Sequence, residues 1–316
     1  MIEKVKSQDS QYDRNVKQGT VKTRRKEKHV QYKENLSEIK RTISDKITLR
    51  MVEAANEIGA SSWLTSMPLK EHGFYLEKQA FWDSLRIRYN IPLQDLPSKC
   101  VCGLNFDIEH AFSCKKGGLI SLRHNEIRDF TAGLLSECYK CSRVEPCLTP
   151  LSGESFPKST VITDEARVDI AARGVWIEGQ MAYFDVGVFN PLAKTNLDFE
   201  LSSAHRQHEE SKKRSYNERI CLVDQGSFTP LVFSCTGGMA KECRAFYKRL
   251  SEKLSEKRNV EYSKTISWVR TRLSFHLLRS CLLCLRGSRS LYFNDDSQNV
   301  DIEFVCREAD FRKIDC

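Results

Sequence analysis

The chain has 316 residues, 40% of them apolar and 29% charged, and a net charge of +8. That length allows one large domain or two smaller ones with a buried core, and the composition fits a compact core flanked by polar, helical or loose segments better than one large close-packed domain. The sign of the charge suits a polyanionic partner.

There are 13 cysteines, and the amino terminus is polar from residue 3. That combination reads as a protein without a secretory leader, in a reducing nuclear or cytoplasmic compartment, with thiols free, buried or bound to metal. The longest apolar run near the end, Cys281 to Leu285, is far too short to cross a bilayer, so no membrane partner is expected.

In chain order, residues 1–47 are rich in Lys and Arg and read as a basic, flexible tail. A helical segment fills residues 48–98. Leu36, Ile39, Ile43, Ile47, Met51 and Ala54 recur at helical spacing and predict a helix over residues 35–57. A second helix is expected over 76–89, stopped by Pro92 and Pro97. Residues 99–118 hold a cysteine-rich knuckle, and 119–240 alternate helix and strand. A helix is expected over 124–138, then strands in SRVEPCL, ARVDIAAR and MAYFDVGVF, a charged helix over 205–220, and a strand in FTPLVFSC. The order is helix, three strands, helix, strand. Two helices, 241–257 and 260–286, and a polar tail over 291–316 follow. Residues 293–296, Phe-Asn-Asp-Asp, read as a polar loop.

The knuckle is CVCGLNFDIEHAFSC, in which Cys100, Cys102, His110 and Cys114 fall within fifteen residues. Three thiolates and an imidazole close a tetrahedral shell, which selects zinc; with no open position, that zinc is structural. Gly103 lets the backbone turn tightly after the first pair.

The acidic candidates are Asp169 in ARVDIAAR and Asp185 in MAYFDVGVF. A carboxylate inside an apolar strand is costly unless paired or bound to a cation. Two acids on consecutive strands can meet at one point of a hairpin, where a hard cation, Mg²⁺ or Mn²⁺, would polarise a phosphate and activate water. Lys212 and Lys213 in the charged helix offer a cation beside the developing charge. Lys212 shares a helical face with His205, His208 and Tyr216, whereas Lys213 stacks with Glu209 and Ile220. Glu126 is placed to complete the metal shell, and Arg123 and His124 to bind phosphate at the expected helix start.

Together these residues resemble the restriction-like endonuclease domain, of the PD-(D/E)XK type, of early-branching, site-specific non-LTR retrotransposons. Cys100, Cys102, His110 and Cys114 match that family's zinc knuckle. Arg123, His124 and Asn125 match its Arg-His-Asn motif. Asp169 and Asp185 match its catalytic acids, and Lys212 or Lys213 with Tyr216 its trailing helical motif. Val168 stands where the family has proline. The resemblance spans about residues 99–220 and implies an α/β restriction-endonuclease-like core, preceded by the knuckle and flanked by helices. It implies nicking of target DNA to expose a 3′ hydroxyl that primes reverse transcription, with DNA, element RNA and an upstream reverse transcriptase region as partners. The competing expectation is a decayed or domesticated zinc-knuckle module that binds nucleic acid without cutting it.

Overall fold

The computed structural model describes residues 27–28, 30–149 and 166–289. The polar tail over 291–316, its Phe-Asn-Asp-Asp loop and most of the basic tail lie outside them. The chain divides into two compact units, Met1–Leu49 and Arg50–Cys316. Within the first, residues 30–42 are helical and residues 43–45 break the helix. The single helix expected over 35–57 is therefore two. The break follows from Asp45, whose carboxylate accepts from the Thr48 backbone N–H at 2.7 Å and so caps a new helix, α1 (Lys46–Ala55).

In the second unit α2 (Ser62–Thr65), a short 3₁₀ turn and α3 (Lys78–Arg88) precede the knuckle helix α4 (Ile108–Ser113). Then come α5 (Leu119–Cys138), β1 (Lys140–Val144), β2 (Ile170–Arg173) and β3 (Met181–Phe189). A short α6 (Lys194–Leu197), the long α7 (Leu201–Leu222), β4 (Ser227–Ser234), α8 (Lys241–Arg258) and α9 (Tyr262–Arg286) complete it. The strands described form one mixed sheet in the order β1-β2-β3-β4. The first three are antiparallel; β4 runs parallel to β3, with α7 as the crossover. Pro230 is tolerated within β4 because that strand lies at the sheet edge, where a missing N–H breaks no ladder bond.

The sheet carries helices on both faces. Along β3, Ala182, Phe184 and Val186 face a core shared with Ile127 and Leu134 of α5, Phe246 and Leu250 of α8, and Leu273 of α9. The two C-terminal helices thus belong to the same core as the sheet, and the core continues past residue 240. The alternate β3 residues, Tyr183, Asp185, Gly187 and Phe189, face α7. There Tyr183 and Tyr216 join a cluster with Ile220 and Phe228, and Phe189 packs with Leu201 and Ala204. Buried Arg50 donates to the Asn196 carbonyl at 3.1 Å and also to that of Phe199, fixing the turn that launches α7. Among the described residues, no helix is long and apolar enough to cross a membrane.

Candidate functional site

Antiparallel pairing of β2 with β3 sets Ile170 opposite Phe184. One further step of that register sets Asp169, in the bend just before β2, opposite Asp185. Directly opposed residues of an antiparallel pair point to the same face, with Cβ atoms about 5 Å apart. The two acids therefore share one site on the α7 side of the sheet. Asp169 Oδ2 accepts the Val186 backbone N–H at 2.5 Å, and its Oδ1 lies 2.9 Å from His124 Nε2. Burial alone would raise the Asp169 pKa; these hydrogen bonds and the His124 and Lys212 charges bring it below the usual value. Asp185 is 4% exposed. Burial, reinforced by the Asp169 charge and opposed by Lys212, raises its pKa to about 6.

Lys212 of α7 forms an ion pair with Asp185 Oδ2. It reaches the acid over Gly187: a Cβ at that position would stand 3.3 Å from Lys212 Cε. Lys213 turns away to Glu242, 2.5 Å distant. Tyr216, one helical turn beyond Lys212, directs its hydroxyl at Asp185; burial and the two acid charges push its pKa up. On the same helix face His208 stacks on Phe189 with ring centroids 4.4 Å apart. His205 meets Glu57 at 2.6 Å, tying the start of α7 to the body of the unit.

The Arg-His-Asn segment is divided by the geometry of α5. That helix starts at Leu119, more than a turn earlier than expected, so His124 does not sit among the unpaired N–H groups of a helix end. Arg123 faces inward, 3% exposed, and donates to the carbonyls of Phe112 at 3.2 Å and Val188 at 3.3 Å. The phosphate contact expected of Arg123 is thereby corrected to a packing role, since a buried guanidinium taken up by carbonyls has no open surface. Asn125 is half-buried. Glu126, about 200° round the helix from His124, pairs with His276 Nδ1 on α9. It was His124, rather than Glu126, that reached the acid pair. The Asp169 contact of His124 and the space left by Gly187 were not read from the sequence. Gly187 stands two residues after Asp185, on the same strand face, and that spacing was the available signal.

The second site is the knuckle. Cys100, Cys102, His110 and Cys114 bring four ligand atoms within 4.8 Å of one another, a cluster that could hold a metal ion. Cys100 Sγ and Cys114 Sγ are 3.8 Å apart, and Cys102 Sγ is 3.4 Å from His110 Nε2. A tetrahedron with metal–sulfur bonds of about 2.3 Å has sulfur–sulfur edges of about 3.8 Å, so the donor set and its spacing fit zinc. The turn holding the first pair closes through Gly103 N–H to the Cys100 carbonyl at 2.8 Å, with Gly103 at φ 88°. Asp107 caps α4 by accepting from His110 N–H at 2.7 Å, and Cys114 ends that helix one turn after His110. Burial raises the Cys100 pKa, but the Cys102 N–H and the His110, Cys102 and Cys114 side chains stabilise the thiolate and bring it to about 6. Ala111 and Phe112, between the ligands, are buried in a core with Leu119, Cys281 and Leu285.

No protein-family model matches the chain, and no curated protein sequence matches it.

Proposed function

We propose that residues 50–289 form a metal-dependent DNA endonuclease domain of the restriction-like, PD-(D/E)XK type, as carried by site-specific non-LTR retrotransposons. The observation that carries this reading is the Asp169–Asp185 pair on one face of the sheet, with the Lys212 ammonium on Asp185. Apart from the single turn of α6, the element order from α5 to β4 is helix, three strands, helix, strand, which agrees with it.

A divalent cation fits the acid pair, because Asp169 and Asp185 face one another and Asp185, 4% exposed, is a buried carboxylate that needs a counter-charge. Asp169 and Asp185 would hold Mg²⁺ or Mn²⁺, which when bound supplies an acidified water and a counter-charge for the phosphate. His124 and the Val186 N–H keep Asp169 ionised and aimed. Lys212, about one-third exposed, is the group able to meet a phosphate oxygen and steady charge there. Tyr216, one helical turn beyond Lys212, directs its hydroxyl at the same carboxylate. Hydrolysis adds water across the P–O3′ bond, leaving a 5′ phosphate and the 3′ hydroxyl that a reverse transcriptase extends. Zinc on the knuckle is structural in this reading: all four donors are protein atoms, so no position is left for substrate. DNA is the substrate, and element RNA and an upstream reverse transcriptase region are the expected partners.

The test is nicking of supercoiled plasmid with Mg²⁺ or Mn²⁺. Wild-type protein is expected to nick, and Asp169→Ala and Asp185→Ala each to abolish nicking while DNA binding persists, because phosphate grip comes from Lys and Arg elsewhere. Binding without cleavage in the wild type would replace this reading with that of a nucleic-acid-binding module.

A further inference from the structure

The two acids have partners of different kinds. Both oxygens of Asp169 have partners, His124 Nε2 at 2.9 Å and the Val186 N–H at 2.5 Å. Asp185 Oδ2 is buried, and the group that rests on it is the ammonium of a long, flexible side chain, Lys212. The oxygen best able to accept a metal is therefore the one on which Lys212 rests. Lys212 gets there through a gap in the strand face: at Gly187 only a hydrogen separates β3 from the lysine stem. Its side chain is 32% exposed, so the ammonium also has a path outward.

We propose that Lys212 is the resident counter-ion of the metal-free site, competing with the divalent cation for Asp185 and moving to the substrate phosphate once the cation is seated. This rests on the reading of Asp169 and Asp185 as the cation site. A buried carboxylate without a counter-charge is costly, and Lys212 removes that cost while the site is empty of metal. Two cations cannot share one buried oxygen without strong repulsion, so metal entry must dislodge the ammonium. Displaced outward over Gly187, the ammonium stays tethered one side-chain length from the acids, where phosphate would lie. Lys212 thus opposes metal binding and favours cleavage, two effects of opposite sign from one group.

The experiment is a Mn²⁺ titration of the full chain, zinc-loaded and without DNA, with free Mn²⁺ read by electron paramagnetic resonance. The proteins are wild type, Lys212→Met, Lys212→Gln, Lys212→Arg and Asp185→Asn, each checked for an unchanged thermal transition. Wild type should bind Mn²⁺ and Asp185→Asn should lose it. Lys212→Met and Lys212→Gln should bind about tenfold more tightly than wild type, while Lys212→Arg stays close to it. Both neutral variants should nick plasmid more slowly despite their tighter metal. Equal or weaker Mn²⁺ binding by both neutral variants, with wild type binding normally, overturns the competition and leaves the cation site standing. Absence of Mn²⁺ binding in wild type and neutral variants alike overturns the cation site, and the competition with it.

Discussion

Lys212 and Lys213 are chain neighbours, yet a helix turns successive residues about 100° apart, and their partners differ accordingly: Asp185 for one, Glu242 for the other. Lys212→Ala is expected to slow nicking about 100-fold or more, the scale of losing one group that stabilises developing charge. Lys213→Ala should nick nearly as fast as wild type, and comparable losses in the two variants would refute the assignment. Gly187 belongs to the same prediction. Gly187→Leu would drive a side chain into the space of the Lys212 stem, and nicking should fall toward the Lys212→Ala rate; Gly187→Ala, where the added carbon meets Lys212 Cε at 3.3 Å, should be milder. The acids themselves were legible in the sequence, because a carboxylate between apolar strand residues is costly without a partner. The fates of Arg123 and Glu126 were not. Which face of α5 turns inward is decided by Ile127, Phe130 and Leu134 packing against strands and helices distant in sequence, and that packing sends Arg123 inside and Glu126 to His276.

At the scale of elements, the knuckle should behave as one cooperative unit. Elemental analysis should find about one zinc per chain, and Cys114→Ser should lose it together with several kcal/mol of stability, because metal binding is coupled to folding. A zinc-free protein with an unchanged thermal transition would dispose of the structural role. The contact between α5 and α9 gives a second expectation. His276 stacks on Phe130 at 4.3 Å and donates from Nδ1 to Glu126, with Arg272 and Arg279 as its charged neighbours on α9. Burial holds its pKa below the ordinary 6.5, against the pull of Glu126 and with help from the two arginines. The unfolded chain therefore takes up this proton first as pH falls, so the contribution is whole above about pH 6.5 and is lost below it. His208 shifts in the same direction, through burial and the His205 and Lys212 charges. Thermal melts from pH 7 to 5 should show this loss, and His276→Gln should flatten it. Helix positions were readable from periodicity, but their ends were less so. Residue 119 opens α5 because Gly118 caps it in the left-handed conformation, and a glycine capping a helix start is a weak signal beside an Asp or Ser.

For the whole molecule, the excess of 50 Lys and Arg over 42 Asp and Glu predicts DNA binding that weakens steeply with salt, as phosphate contacts release counterions. Removing residues 1–47 should weaken binding to all sequences alike and flatten the salt slope. Affinity indifferent to salt in a filter-binding or fluorescence titration would contradict an electrostatic grip.

The turn joining β2 to β3 separates two kinds of sequence change. Its tip, Ile177 to Gly179, is largely exposed, while Val175 nearer the strand is fully buried. A residue gained or lost at the tip lengthens or shortens the turn and leaves Asp169 facing Asp185. A residue gained between Ile170 and Arg173 shifts the strand by one and carries Asp169 to the opposite face. The number of residues between the two acids can therefore vary widely while the acids stay face to face. A search pattern that fixes that interval follows the history of a loop, whereas one that asks for facing acids beside a small residue two positions on follows the geometry of the site.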